Sequence, residues 1–436
     1  MADKLKLKLF KGDMTIWMIY FLLCMVSLVA IYSASSNLTF KGGNHWDPVV
    51  NQAGFLFLGL LIILCVIRIP CKYFKLIPII GLPIALFMLA YVLFKQKGLN
   101  DAARWIDIFG IKFQPSEIAK SMLILEVAVI LSKVNQQRRQ LMQRSSEKAS
   151  AKEALRQRML HAFRVVSGLA ILTCGLIAPE NFSTACMLFL VIAVMMYVGN
   201  IPRILLAKAF LVLLAVGLLF GTLLMTTPDN ALSRYRRALT WKHRIQSKIH
   251  HTSGEANEAT YNLDEHWQET TSHIAIANSN IIGRGVGNSI ERDFLPHAES
   301  DFIYSIIVEE TGIFGGLLVL MLYLTLLIRV WRIAQRSDKY FPAYLAIGLG
   351  LMLVIQALVN MAVAVGLAPV TGQTLPLISR GGTSILITSF NIGMILSVSR
   401  YTEQVGEKNA FTNDTDQPDA ASTLETQEYA SSEGMQ

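Results

Sequence analysis

Nineteen residues, Phe294 to Gly312 (FLPHAESDFIYSIIVEETG), hold the groups in this chain best suited to chemistry. Pro296, His297, Glu299 and Asp301 form a polar lead-in to an apolar run, and two adjacent carboxylates, Glu309 and Glu310, follow inside that run. Placing a charged carboxylate in a bilayer costs ~2.5 kcal/mol or more, and desolvation disfavours its ionised form. A carboxylate at the lip of an apolar helix therefore either faces a cavity or caps the helix end. Ser300 and Asp301 are both good capping types, so by residue type alone both readings of Asp301 stand. At a water–lipid border a carboxylate also suits general-base work, being reachable yet desolvated enough to move its pKa toward the working range.

Four other stretches carry unusual residues. In LNDAARWIDIFGIKFQPSEIAK, Arg104 precedes an interfacial Trp105 and reads either as a snorkelling cation or as an anion ligand. Glu117 and Lys120 lie three apart just after Pro115, a good helix start, so they share a face and can pair, as a buried clamp rather than in direct catalysis. In APENFSTA, Glu180 reads as a cap or a cavity residue, and Ser183 or Thr184 as the cap of the next helix. Arg234, Arg236, Arg237, Lys242 and Arg244, interleaved with Tyr235 and Trp241, suit a diphosphate headgroup or a plain solvated face. Residues 254–271 read as a solvent-exposed insertion, in which His266, Glu269 and His273 make only a weak metal pattern. GRGVGN (Gly283 to Asn288) lacks the spacing and preceding strand of a dinucleotide fingerprint, and its glycines fit a tight turn under the substrate. Pro376 and the pair Gly381-Gly382 in LPLISRGGTS demand irregular backbone at membrane depth, tolerated only when buried in protein or lining a cavity.

The elements that must position these residues are membrane helices. The chain is 53% hydrophobic and 16% charged, with a mean hydropathy of +0.44. That excludes an ordinary soluble domain and predicts an all-α, polytopic integral membrane protein. Ten spans are expected, near 14–34, 49–67, 74–94, 116–134, 163–178, 183–200, 203–225, 301–330, 341–366 and 382–400. Four lysines before the first span and no small-residue cleavage site mark that span as a retained helix, not a signal peptide. The last 36 residues hold eight acids and one lysine, so the net charge of +8 becomes +15 over residues 1–400. This excess sits between spans, which argues against nucleic acid as a partner. Nine basic residues against two glutamates in 133–164, with Arg68, Lys72, Lys75, Arg329, Arg332, Arg336 and Lys339, put those loops and both termini in the cytoplasm. The largest outer loop then runs from about 226 to 300. Residues 135–162 read as a basic amphipathic helix on anionic headgroups. The organisation expected is a transmembrane domain over 1–400 and a disordered acidic tail over 401–436. The five cysteines show neither a disulfide framework nor metal-ligand spacing.

RWIDIFGIKFQPSEIAK, APENFSTA, GRGVGNSIERDFLPHAESDFIYSIIVEETGIFGG and TLPLISRGGTS, in this order and between these spans, resemble the SEDS family (shape, elongation, division and sporulation proteins) over residues 14 to 400. PENFSTA and PLIS favour its division branch over its elongation branch. The resemblance implies a ten-helix peptidoglycan glycosyltransferase that polymerises lipid II outside the cytoplasmic membrane, at the division septum. It also implies a class B penicillin-binding protein as transpeptidase partner, among other membrane proteins of the division machinery. In the family the aspartate of P-x-x-x-x-D-F-I is essential for polymerisation; Pro296, Asp301, Phe302 and Ile303 match, so that role falls on Asp301. Arg104 matches the arginine of the RWI motif, and Glu117 and Lys120 match QPSE-x-x-K. Asp293, Pro296, His297, Ser379, Arg380, Gly381 and Gly382 join them as substrate-binding candidates. Arg380 departs from the aromatic common before the double glycine, and Thr371 from the lysine of some division members. The loop between spans four and five is also longer than usual.

The implied reaction needs a base for the acceptor sugar's C4 hydroxyl, cations for the departing undecaprenyl diphosphate, and room for two lipid-linked sugars. Asp301 suits the first. Arg104 and the Arg234–Arg244 cluster suit the second, with a divalent cation such as magnesium or manganese as a further candidate and no organic cofactor. A lipid II flippase is the competing class, but the unusual residues gather on one face with no twofold pattern, which favours the enzyme. A scaffold without chemistry does not explain carboxylates and arginines at one depth.

Overall fold

The computed structural model describes residues 10–35, 46–95, 106–108, 111–144, 148–228, 242, 263–295 and 298–415. Its helices are α1 (Met14–Ala34), α2 (Asp47–Val66), α3 (Ile77–Lys95), α4 (Pro115–Arg144), α5 (Lys148–Ile177), α6 (Phe182–Val198), α7 (Arg203–Thr226), α8 (Leu263–Ala277), α9 (Ile303–Gln335), α10 (Tyr340–Ala364) and α11 (Gly382–Thr415). All but α8 coincide with the ten expected spans. Eight of them are long and apolar enough to cross a membrane. Of the other two, α6 is apolar but has 17 residues, and α4 carries Glu117, Lys120 and Glu126 in its apolar half.

Local chemistry explains where the helices begin. Asp13 caps α1, its Oδ1 accepting the Thr15 and Ile16 amides at 2.8 and 3.4 Å. Pro48 sits in the first turn of α2, where its missing N–H is harmless. Asn181, not Ser183 or Thr184, caps α6: its Oδ1 accepts the Thr184 amide at 3.1 Å, so the helix starts at Phe182, and asparagine is as good a capping type as serine. Glu180 is buried and does not take the cap position.

Packing places α10 and α11 at the centre, with α11 along α2, α9 along α10, and α4 against both α3 and α10. The Asp13 amide donates to Ser399 Oγ at 2.9 Å, Arg329 approaches Asp13 at 3.7 Å, and Arg400 donates to the Ile67 carbonyl at 2.8 Å. The start of α1, the end of α2, the end of α9 and the outer part of α11 therefore share one end of the bundle, as the charge bias requires for a common cytoplasmic side.

Three expectations need correcting. Residues 135–162 do not form a separate surface helix. Instead α4 and α5 run on past the apolar zone and pack against each other through Val134, Met159 and Ala162; their basic faces continue the spans because helix extension satisfies the backbone at once. The 401–436 tail is not irregular from its start, since α11 continues helically to Thr415; residues 416–436 lie outside the described residues. The insertion expected at 254–271 is exposed only up to its last residue: 254–262 lie outside the described residues, 267–270 are exposed or half-buried, and Thr271 is buried, after which α8 buries Ser272 and Ala275, with Ser272 Oγ 2.5 Å from Ser305 Oγ and donating to the Ala364 carbonyl at 2.9 Å. The all-α expectation holds, with one small antiparallel hairpin beside the helices, β1 (Ile106–Ile108) and β2 (Ile111–Phe113), pairing Ile106 with Phe113 and Ile108 with Ile111.

Helix α9 is broken at Gly312, whose backbone is left-handed (φ 73°). At the break, the Glu309 and Glu310 carbonyls accept the Arg284 and Gly285 amides at 3.0 and 2.9 Å. The GRGVGN glycines do make a tight turn, with Gly283, Gly285 and Gly287 all at positive φ, but the turn lies on the broken helix itself. A Cβ on Gly312 would collide with the Ile281 carbonyl, and one on Gly283 with the Glu310 carbonyl. Gly312→Ala is therefore expected to destabilise the folded chain by about 3 kcal/mol, combining backbone strain with the clash. Gly217→Ala on α7, where an added Cβ meets open space, should be neutral or better. Thermal unfolding of both variants in detergent, followed by tryptophan fluorescence, checks this ranking.

Candidate active site

Residues 371–381 between α10 and α11 are irregular yet mostly buried, as LPLISRGGTS requires. Their backbone carbonyls are met by neutral side chains from four helices and one helix cap. Asn181 donates to Thr371 (3.1 Å), Asn360 to Gln373 (2.7 Å), Gln356 to Thr374 (3.0 Å), Ser27 to Ile378 (3.0 Å), Gln52 to Ser379 (3.4 Å) and Tyr323 to Pro376. Gln52 also donates to Ser27 Oγ at 2.8 Å, and Gln373 donates to Thr184 Oγ1. An unpaired buried peptide group costs ~1–3 kcal/mol, so this set lets non-helical backbone sit inside an apolar bundle. Leu377 adopts φ 67°, a left-handed conformation that non-glycine residues rarely take and that this many fixed contacts can hold.

The loop docks directly on Glu299 to Asp301. Ser379 Oγ donates to the Ser300 carbonyl at 2.5 Å while accepting the Leu375 amide at 2.7 Å, and the Arg380 amide donates to the Glu299 carbonyl at 2.8 Å. Asn360, already bonded to Gln373, also donates to the Asp301 carbonyl at 2.9 Å. Asp301 is thus held at its backbone, with its side chain partly exposed, just ahead of α9. The cap position itself belongs to Phe302, which makes no capping side-chain bond. Ser300 and Asp301 precede that position by two and one residues, and their carbonyls take the loop contacts from Ser379 and Asn360. The amino end of α9 favours negative charge nearby, which suits a carboxylate that must be ionised to accept a proton.

Glu117 and Lys120 form a buried ion pair at 2.7 Å. Lys120 also donates to Gln356 Oε1 at 3.0 Å, and Gln356 in turn holds Thr374. The pair therefore acts on the 371–381 loop through one intermediary, in the geometry of a structural clamp. Arg380 approaches Glu299 at 3.7 Å with its side chain 41% exposed, a contact that contributes ~0–1 kcal/mol. Gly381 and Gly382 lead into α11, where a Cβ on Gly382 would meet the Phe55 ring. Asp293 lies exposed in a 3-10 turn, 3.9 Å from Arg292. Arg104, Pro296, His297 and all of the Arg234–Arg244 cluster except Lys242 lie outside the described residues; Lys242 is buried, donating to the Thr227 carbonyl at 2.7 Å.

Glu309 and Glu310 are buried inside α9 and bind the chain rather than the site. Glu309 accepts the Ile290 amide at 3.0 Å and the Ser289 hydroxyl; Glu310 accepts the Ser33 hydroxyl and the Ser289 amide at 3.4 Å. Arg292 closes the group by donating to Ser33 Oγ at 3.1 Å and to its carbonyl at 3.3 Å. The two carboxylates thereby tie the end of the outer loop and α1 to α9. Burial and the nearby Glu309 charge push the Glu291 carboxyl above its ordinary range, with Arg284 opposing. Residue type alone does not single out Ser33, Ser289 or Arg292. Gln52, Gln356 and Asn360 did carry a signal, as amides within otherwise apolar spans. Among the described residues no group of three His, Cys, Asp or Glu side chains could hold a metal ion.

Residues 13–404 match the model of the FtsW, RodA and SpoVE family of cell cycle proteins. The chain belongs to this family. A probable peptidoglycan glycosyltransferase FtsW of Enterococcus hirae is 32% identical over 90% of this chain and 94% of its own length. The protein of the same description from Saccharophagus degradans is 29% identical over 88% and 91%. Among solved structures, a peptidoglycan synthase complex described as coordinating polymerization and crosslinking aligns with a TM-score of 0.66 at 23% identity, covering 90% of this chain and 99% of that one. The rod shape determining protein RodA of Thermus thermophilus aligns at 0.56 and 21%, over 89% and 97%. These two likenesses establish a shared FtsW/RodA/SpoVE fold: a polytopic helical membrane protein.

The clamp gives a test specific to this family member. Lys120→Met strands Glu117 in the bundle and should cost about 3–5 kcal/mol. Adding Glu117→Gln should recover a substantial part of that loss. Denaturation of the single and double variants in detergent measures the difference.

Proposed function

We propose that this chain is a peptidoglycan glycosyltransferase that polymerises lipid II at the outer face of the cytoplasmic membrane. The observation that carries the reading is the placement of Asp301. A partly exposed carboxylate stands at the amino end of a buried helix, its backbone pinned by Asn360 and by a loop built at evident polar cost. Family membership and the description shared by the FtsW relatives support the same reaction.

In this reading Asp301 takes the proton from the C4 hydroxyl of the acceptor sugar, and the oxygen attacks the donor's anomeric carbon. The carbon–oxygen bond to undecaprenyl diphosphate breaks in the same displacement, so the anomeric configuration inverts. Arg380, partly exposed beside Glu299, and Arg104 are the cations proposed for the departing diphosphate, with a divalent cation as a further aid. Rigid backbone around Asp301 matters because a base displaced by about 1 Å loses much of its advantage. The relatives' FtsW description favours a role in septal synthesis over elongation. A class B penicillin-binding protein is the proposed crosslinking partner, consistent with the synthase complex that shares the fold.

A lipid II flippase would use the same span count but would not require a base at the outer rim. Asp301→Asn removes the base with little change in volume. Purified, folded Asp301→Asn protein incubated with lipid II in detergent should form no glycan strands, whereas the unaltered chain forms them with its transpeptidase partner present. Polymerisation at full rate by that variant would overturn the assignment of Asp301. Failure of the unaltered chain under all such conditions would favour transport.

A further inference from the structure

The cytoplasmic end of the bundle contains a cavity of about 630 Å³, within the ~300–1,000 Å³ typical of small-ligand sites. Five cations line it: Lys72 and Lys75 from the 3-10 turn Cys71–Lys75, Arg139 from α4, Lys339 just before α10, and Arg400 from α11. Asp338 is the one acidic residue in the lining. None of the five cations has a carboxylate within 4.0 Å among the described residues. The charge bias of cytoplasmic loops explains why these residues are basic, but not why four segments far apart in sequence converge on one concave space.

Three of the cations are also held in place. Lys75 lies 5.1 Å from the Phe341 ring centre and Lys339 lies 5.5 Å from that of Tyr401, each reaching from one element to another. Arg400 is fixed by the Ile67 carbonyl at 2.8 Å. Gln136, Gln140 and Gln143 recur on α4 at spacings of four and three, so they present a row of neutral donors to the same space. The floor is closed by Cys71 and Ser397, whose side chains meet at 3.6 Å. Positioned cations flanked by amide donors, with one acid among them, form a receptor for a multiply bonded anion.

We propose that this cavity binds a phosphate-bearing anion, either the glycerophosphate headgroup of a cytoplasmic-leaflet lipid or a free phosphate. It lies at the opposite end of the bundle from Asp301 and is a second site, independent of the polymerisation reading and resting only on the orientation set by the loop charges. Each basic residue near an anionic headgroup is worth about a fivefold change in affinity.

Native mass spectrometry of the full chain in non-ionic detergent, with phosphatidylglycerol or phosphatidylcholine added, tests the lipid source. The unaltered protein should retain one phosphatidylglycerol in clear preference to phosphatidylcholine. The triple variant Lys72→Gln, Arg139→Gln, Lys339→Gln should lose that preference by about a hundredfold, about fivefold per cation. The control Arg156→Gln, Arg158→Gln, exposed on α5 and outside the lining, should bind as the unaltered protein does. Inorganic phosphate tests the other source. Protection by phosphate against thermal unfolding, lost in the triple variant and seen without lipid selectivity, would assign the site to a soluble phosphate. If the triple variant does not fold, Lys72→Gln alone, at an exposed position, should still give the fivefold loss, and Lys72→Arg should restore binding. Equal retention of both lipids and no phosphate protection in the unaltered protein would overturn the proposal, as would unaltered binding by the cation variants.

Discussion

A peptide group inside a bilayer must find its hydrogen bond within the protein, and this structure is organised around one place where helix does not provide it. The loop 371–381 sits within the bundle without regular structure, so its carbonyls fall to Asn181, Gln52, Ser27, Tyr323, Gln356 and Asn360. Each donor comes from a span or span cap, which fixes the relative depth of α1, α2, α6, α9 and α10. Asp301 inherits its position from that arrangement through Asn360 and Ser379. The site is consequently not a loop resting on a bundle, since the bundle's own polar contacts run through it.

The donors are neutral, and this choice has a physical basis. An amide at membrane depth loses less on burial than an ammonium or carboxylate, and it can hold one carbonyl without needing a counter-charge. The one full ion pair in the inner network, Glu117 with Lys120, stands behind an amide, Gln356, which alone touches the loop. Glu309 and Glu310 follow the same logic on the other side of α9. Their charges are met by hydroxyls, backbone amides and Arg292, and they fix the end of the outer loop against α1. The break at Gly312 makes this possible, because it exposes two carbonyls for the 284–285 turn to occupy.

The two ends of the molecule differ in how they treat charge. At the outer end single charged groups are fixed by backbone contacts: Asp301 by its carbonyl, Arg380 by its amide. At the cytoplasmic end cations cluster around a concave space with little acidic compensation. An outer site proposed to release a diphosphate benefits from few, well-placed cations, whereas the proposed retention of an anion at the other end benefits from many.

Sequence by itself determined where the ten expected spans lie, the charge bias at one end of them, the irregular backbone before Gly382 and the choice of the Asp301 stretch as the candidate site. These follow from hydropathy, loop charge and the conformational demands of proline and glycine, all of which act over a few residues. Tertiary structure alone decided what holds the Asp301 stretch, because Ser379 and Asn360, which bind the Ser300 and Asp301 carbonyls, lie 79 and 59 residues along the chain. It also decided that α4 and α5 continue as paired helices, that α8 docks on α9 and α10, and that Glu117 and Lys120 act through Gln356. Each of those outcomes depends on a partner dozens to hundreds of residues away, as when Lys120 meets Gln356 or Ser27 meets Ile378. Local pattern shows that a polar group must be satisfied, and only the packed bundle shows by which partner.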